Sequence, residues 1–288
     1  MTNVLVTGSK GQVGSEIEVL SFDYSYNFLF TDKEQLDISS EENINDFIEV
    51  NSINIIINCA AYTAVDKAEE DVELADNINH KAVQYLAKVA KEKNIKLIHI
   101  STDYVFDGTN FRPYVESDST NPNSVYGETK LRGEEALVKI NPLNSLIIRT
   151  SWVYSSFGAN FVKTMLRLGK ERDSLGVIFD QVGTPTYARD LAKAILDILP
   201  QIQSDKVEIY NYSNEGVLSW YDFSKEIMRM AKIDCVINPI ETKDYPTPAS
   251  RPHYSLLNKA KIKKKFNISI PFWKDSLDGC LKVMGERK

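Results

Sequence analysis

The chain has 288 residues, 43% of them hydrophobic and 26% charged, and a formal net charge of −6. This suits a soluble globular protein of one large or two smaller domains, and it argues against general nucleic-acid binding, which needs a basic surface to neutralise phosphate. The longest near-apolar stretch, 53–62, is too short to cross a bilayer, and the N-terminus enters an apolar run with no basic leader, so neither a membrane span nor a signal peptide is expected.

The apolar run 3–7 reads as a first strand ending in glycines, and the spacing of Val13, Ile17 and Leu20 predicts a helix from Gln12 onward. A second strand is expected over 28–31 and a helix over 41–50, with Ile44, Phe47 and Ile48 on one face. The run 53–60 is apolar on both faces, as a buried parallel strand should be. A long helix over 74–94, a fourth strand over 96–102, a helix over 126–140 and a fifth strand over 145–150 follow. This alternation predicts an α/β fold with a doubly wound, Rossmann-like parallel sheet. After about Ser155 the rhythm changes: helical 161–169, apolar 176–179, a turn at 183–186, a helix over 188–199, then shorter elements and the proline-rich 245–252. Residues 1–155 are expected to form a dinucleotide-binding domain, with the helix 187–200 packing back on it. Residues 156–288 are expected to form mainly a smaller mixed α/β substrate lobe over the carboxyl ends of the strands. The five lysines in 259–265 read as a solvated helix face.

The chemistry-bearing residues follow the strand ends. Gly8-x-x-Gly11-x-x-Gly14 directly follows the first strand and opens a helix, so its glycines allow a tight turn and a helix N-terminus offers amide donors to a pyrophosphate. Lys10, Gln12 and Val13 lie within this loop. Asp32 ends the second strand, where a carboxylate would bind the adenosine ribose and favour NADH. Lys10 and Lys33 stand near enough to accept a 2′-phosphate, so both NADPH and NADH are open on this ground. Asp37 either meets the adenine edge or caps the turn before Ser39. The small residues of Asn58-Cys59-Ala60-Ala61 let a cofactor lie flat across the third strand's end, before Tyr62. Thr102 closes the fourth strand, where a hydroxyl can hydrogen-bond a carbonyl as charge develops on it. Tyr126 and Lys130 lie four apart on one helix face, a spacing that lets an ammonium approach the phenol and lower its pKa toward proton transfer near neutrality. Cys59, Cys235 and Cys280 are far apart among apolar residues and read as buried thiols of a reducing cytoplasm. His80, His99 and His253 show no metal-ligand spacing.

The set Thr7 to Gly14, Thr102 and Tyr126-x-x-x-Lys130 resembles the extended short-chain dehydrogenase/reductases. Within them the chain is similar to the dTDP-4-dehydrorhamnose reductase family. The segments 58–69, 101–108, 125–134, 149–154, 160–165, 180–186 and 245–252 carry the likeness, in order, through nearly the whole chain. The resemblance implies an NADPH-dependent cytoplasmic oxidoreductase, with NADH also open, acting on a dTDP-sugar in dTDP-rhamnose biosynthesis. It implies Thr102, Tyr126 and Lys130 as catalytic residues, with Lys130 also holding the nicotinamide ribose. Asp103, Tyr104 and Val105 would line the sugar site with Trp152 as a wall, and Asn160 and Arg251 would approach the nucleotide diphosphate. Some members resemble one another in a magnesium-bridged homodimer. Here Glu16 stands in the first acidic position, but Arg189 sits where a second acid would help, so no metal is assigned. Two other readings are weighed: a nucleotide-sugar epimerase or dehydratase of the same fold, and a non-catalytic subunit like that of methionine adenosyltransferase.

Overall fold

The computed structural model describes residues 1–287. Its centre is a six-stranded, wholly parallel sheet: β1 (Asn3–Thr7), β2 (Asn27–Thr31), β3 (Ile55–Asn58), β4 (Lys96–Thr102), β5 (Leu146–Thr150) and, at the edge, the strand Glu208–Asn211. Across the sheet the order runs from Glu208–Asn211 through β5, β4, β3 and β1 to β2. The chain goes outward from β1 to β2 and then returns to the other side of β1 for β3. This reversal opens a crevice at the carboxyl ends of β1 and β3.

Helices cover both faces, which is why the central strands are apolar throughout. One face packs Val4, Val6, Ile57 and Ile148 against α1 (Gln12–Leu20), the helix Ala188–Ile198 and Phe266. The other packs Leu5, Ile56 and Leu97 against α2 (Glu41–Val50) and the helix Ala82–Glu92. The helix 188–198 packs against α1. The second lobe has its own core around the parallel pair Ser174–Ile178 and Val236–Ile240 and the helices Phe161–Glu171, Trp220–Ala231 and Trp273–Val283. Among the described residues no helix is long and apolar enough to cross a membrane.

Local signals explain where elements begin and end. Ser40 caps α2 by accepting from the Asn43 N–H, with Glu41 and Glu42 in its first turn. Ser124 accepts from the Gly127 N–H to start the helix Val125–Ile140, and Asn141 ends it in the left-handed region at φ +56°. Three features depart from the sequence expectation. The sixth strand, Glu208–Asn211, comes from the stretch read as substrate lobe, so the sheet does not end at 155; its polar ends hide it from a hydrophobicity pattern. The strand read over 53–60 is cut to Ile55–Asn58, because the Ile53 N–H bonds the Ile48 carbonyl at the end of α2. The long helix read over 74–94 is interrupted by a π-turn at Asn77–Lys81, with helix Val72–Asp76 before it.

Candidate active site

The glycine loop sits at the crevice. Gly8 has φ +65°, and a Cβ there would lie 2.7 Å from the Ala60 Cα, so β1 and β3 approach closely only because Gly8 has no side chain. A Cβ on Gly14 would lie 2.5 Å from the Gly8 carbonyl oxygen, which lets α1 start tight against the loop. Gly11 caps α1, and its N–H bonds the Gly8 carbonyl at 3.0 Å. The Ser9 N–H ties the loop to β2 through the Thr31 carbonyl at 3.0 Å. Val13 is buried under the loop, and Gln12 Nε2 donates to the Val153 carbonyl at 3.2 Å. A helix N-terminus cradled this closely at a sheet reversal fits a dinucleotide pyrophosphate.

The ribose end is less simple than the sequence suggested. The Asp32 carboxylate is paired with Lys10, which holds it below the usual carboxylate range, and it also accepts from the N–H groups of Glu34 and Gln35. Asp37 closes a local turn, its Oδ1 accepting from the Ser39 N–H at 2.9 Å and hydroxyl at 2.6 Å. Of its two readings the capping one is the geometry observed. Beyond β3, Ala60 and Ala61 lead to Tyr62, whose N–H and carbonyl are both bonded by the side chain of Asn79. Asn79 is fully buried in the π-turn and also donates to Thr129 Oγ1, so the helix interruption clamps this strand end to the Tyr126 helix.

Thr102, Tyr126 and Lys130 come to one place. Thr102 closes β4, accepts from the Tyr104 N–H at 3.2 Å and donates to Asp103 Oδ1 at 3.1 Å. The Tyr126 ring meets Tyr104 edge-on, with centroids 5.4 Å apart. Gly127 permits this approach: a Cβ there would lie 2.3 Å from the Tyr104 carbonyl oxygen. The electrostatics correct the sequence argument. Burial pushes the Tyr126 phenol up to about 12, with Asp103 adding to the rise and only Thr102 opposing it. The Lys130 Nζ donates to the Ile100 carbonyl at 2.7 Å and lies 3.2 Å from His99 Nε2. Burial brings Lys130 itself down to about 8.

The expected sugar-site residues divide. Asp103 is buried and its carboxyl is pushed up to about 7 by desolvation; Ser255 lies beside it and pulls the other way without closing a hydrogen bond on Oδ2. Tyr104 remains part-exposed beside Tyr126. Val105 is fully buried with Phe106, Tyr114 and Leu257, so its side chain supports the wall from behind and does not line it. Trp152 holds a left-handed backbone at φ +48° and stacks on Trp220 at 3.6 Å, an unusual conformation for a bulky residue that the packing around it must impose. Asn160 caps the helix Phe161–Glu171 and donates to Gln12 Oε1 and the Ser155 carbonyl, so both ends of its amide are engaged by protein. The Arg251 fork, read as a phosphate clamp, is closed on Asp66 at 2.7 and 2.9 Å.

Glu16 is 1% exposed within a single chain and accepts from the Ser155 hydroxyl at 2.6 Å, with Arg189 and Asp190 nearby. Among the described residues no group of three or more His, Cys, Asp or Glu is arranged to hold a metal. Sequence reasoning missed Asn79, Trp220, Ser255 and the His99–Asn58 pair. Only His99 left a signal, a ring nitrogen inside an otherwise apolar stretch of β4.

Residues 1–285 match the family described as RmlD substrate binding domain. The chain is 42% identical to a dTDP-4-dehydrorhamnose reductase of Aggregatibacter actinomycetemcomitans, over 96% of this chain and 97% of that protein. Its fold superposes on the crystal structure of a dTDP-4-dehydrorhamnose reductase of Clostridium acetobutylicum with a TM-score of 0.94, at 40% identity over 99% of this chain and 100% of that one. A Bacillus anthracis dTDP-4-dehydrorhamnose reductase solved in complex with NADP gives a TM-score of 0.93 at 34% identity, over 98% of this chain and 100% of that one. With the glycine loop, Thr102, Tyr126 and Lys130 gathered at one crevice, and with likeness over the whole length, the chain belongs to the RmlD family of dTDP-4-dehydrorhamnose reductases.

Proposed function

We propose that this protein reduces the C4 keto group of dTDP-4-dehydro-L-rhamnose to give dTDP-L-rhamnose. The observation that carries the reading is the convergence of Thr102, Tyr126 and Lys130 at the crevice beside the glycine loop. When bound, NADPH supplies the hydride. Gly8, Gly11 and Gly14 let the backbone lie close to its pyrophosphate, and Gln12, Val13, Ala60, Ala61 and Tyr62 shape the rest of its bed. Lys10 over Asp32 puts a cation where a 2′-phosphate would sit and occupies the carboxylate that would bind a 2′-hydroxyl, which supports NADPH over NADH.

Thr102 donates a hydrogen bond to the C4 oxygen as charge grows there, and Tyr126 carries the proton that ends on it. A phenol raised to about 12 holds its proton firmly at neutral pH, which suits a donor. Tyr104 and Trp152 form the walls of the sugar site, and Asp103 offers Oδ2 to a sugar hydroxyl. Arg251 reaches the diphosphate by exchanging Asp66 for it. Residues 1–155 with 188–211 serve the dinucleotide and the remainder mainly the sugar. We place the enzyme in the cytoplasm as a homodimer, a state that light scattering would test.

The test is a coupled assay with dTDP-4-dehydro-L-rhamnose generated in place and NADPH and NADH followed in parallel by absorbance. Oxidation matched one-to-one by dTDP-L-rhamnose supports the reading. Turnover of a nucleotide sugar without net cofactor consumption would replace it with an epimerase or dehydratase. Dinucleotide binding with no turnover, together with co-purification of a larger catalytic partner, would replace it with a regulatory subunit.

A further inference from the structure

Asn58, His99 and Lys130 form a buried line of side chains beneath Tyr126, each 1% exposed or less. Asn58 Oδ1 accepts from the Ala60 N–H at 3.2 Å and from the Thr7 hydroxyl at 2.6 Å. A backbone N–H can only donate, so the Ala60 amide decides which end of the Asn58 side chain carries the oxygen. Asn58 Nδ2 therefore faces His99 Nδ1, 3.0 Å away, and donates to it. A ring nitrogen that accepts holds a lone pair, so a neutral His99 carries its one proton on Nε2. That N–H points at Lys130 Nζ, 3.2 Å away. An ammonium has three donors and no lone pair, so it would set donor against donor at a buried contact. A neutral amine accepts from His99 Nε2–H and still donates to the Ile100 carbonyl at 2.7 Å.

We propose that His99 is a positioning residue which, oriented by Asn58 and the Ala60 amide, weakens the hold of Lys130 on its proton in the free protein, so that Lys130 gives up its ammonium form at a lower pH than a surface lysine. The balance is a simple one: the proton comes from solvent to the amine lone pair, and the His99 Nε2–H must give up its contact for it to fit. The groups around Lys130 agree. From β4 comes His99, which burial first and the neighbouring Lys130 charge second keep well below its ordinary value. From beyond β3 comes Cys59, whose thiol is raised to about 12 and so stays uncharged. On the same helix, Tyr126 is protonated and Glu134 is the one anion. Glu134 is spent on Arg149 from β5, which holds it with three hydrogen bonds. Burial accordingly dominates at Lys130 and lowers it to about 8.

The proposal concerns the free protein and rests on the reductase reading only for its kinetic consequence, an alkaline limb of kcat/KM set by Lys130. Nuclear magnetic resonance of the ligand-free chain, labelled with 13C at the lysine Cε and 15N in the histidine rings, tests it directly. We expect the His99 shifts of a lone pair on Nδ1 and a proton on Nε2. One lysine, assigned by its loss in Lys130→Met, should bind its proton at least about tenfold more weakly than the surface lysines, one pKa unit or more. In Asn58→Asp the new carboxylate oxygen accepts from the ring, which moves the His99 proton to Nδ1 and frees Nε2 for an ammonium. Lys130 should then rise by a unit or more, and the alkaline limb with it. A proton on Nδ1 in the unaltered protein, or Lys130 titrating with the surface lysines, overturns the proposal, and these two readings stand even if Asn58→Asp does not fold. A protein inactive in the coupled assay would sink the reductase reading and leave the tautomer and titration to decide this one.

Discussion

At the scale of single residues, the site is built from groups whose charge states the interior sets. Tyr126 carries the proposed proton transfer, so Tyr126→Phe should lower turnover by roughly 10²–10⁴ with little change in fold. Near-normal steady-state rates in that variant would remove Tyr126 from the mechanism. Asp103 is held mostly protonated up to about pH 7, whereas an exposed aspartate ionises near 3.8. Between these values the folded protein binds more protons than the unfolded one, so this group's contribution to stability falls as pH rises from about 4 to 7. Asp103→Asn cannot ionise. Its melting temperature relative to the unaltered protein should climb across that window and level off above it. A difference flat in pH would show that Asp103 titrates like a surface acid. The sequence placed Tyr126 and Lys130 four apart on one helix, and the structure does so too, with the Lys130 amine engaged by other partners. Spacing along a helix says which residues can meet, not which way a long side chain turns, and the Ile100 carbonyl and His99 take the Lys130 amine instead.

At the scale of elements, the Tyr126 helix is positioned by close backbone approaches. Gly127 lies against the Tyr104 carbonyl, where a Cβ would stand 2.3 Å away, and Gly133 lies against the Asn79 carbonyl, where a Cβ would stand 2.2 Å away. Neither oxygen belongs to a flexible side chain, so the clash is relieved only by moving an element. Gly127→Ala should therefore cost about 1–3 kcal/mol as overpacking, read as a lower midpoint in denaturant. It should also reduce kcat, because Thr102 and Tyr104 move with the displaced carbonyl. Unchanged stability would mean that the helix start slides freely. The helix signal over 74–94 was legible, but its π-turn was not. The extra residue in that turn is imposed by Asn79, whose side chain reaches Tyr62 and Thr129, both distant in sequence.

Across the whole molecule, a buried ion pair locks the Tyr126 helix to the central sheet. Arg149 of β5 grips Glu134 of the Tyr126 helix, and its guanidinium lies 5.0 Å from the Phe106 ring. Both side chains are about 3% exposed or less. Arg149→Met should strand the Glu134 carboxylate and destabilise by about 3–5 kcal/mol, and changing Glu134 to Gln as well should recover part of the loss. A single variant as stable as the unaltered protein would show that water reaches the pair. The parallel sheet, the crevice at its carboxyl edge, the glycine loop and the catalytic candidates are legible in the amino-acid order, because these depend on local periodicity and on residue types that few other conformations tolerate. Tertiary structure alone decided the sixth strand at Glu208–Asn211, the pairing of Lys10 with Asp32 and of Arg251 with Asp66, the burial of Glu16 and the orientation of His99. Each of these depends on contacts between residues far apart in the chain, where the partner, the loss of water and the direction of a hydrogen bond are set only once the elements have packed.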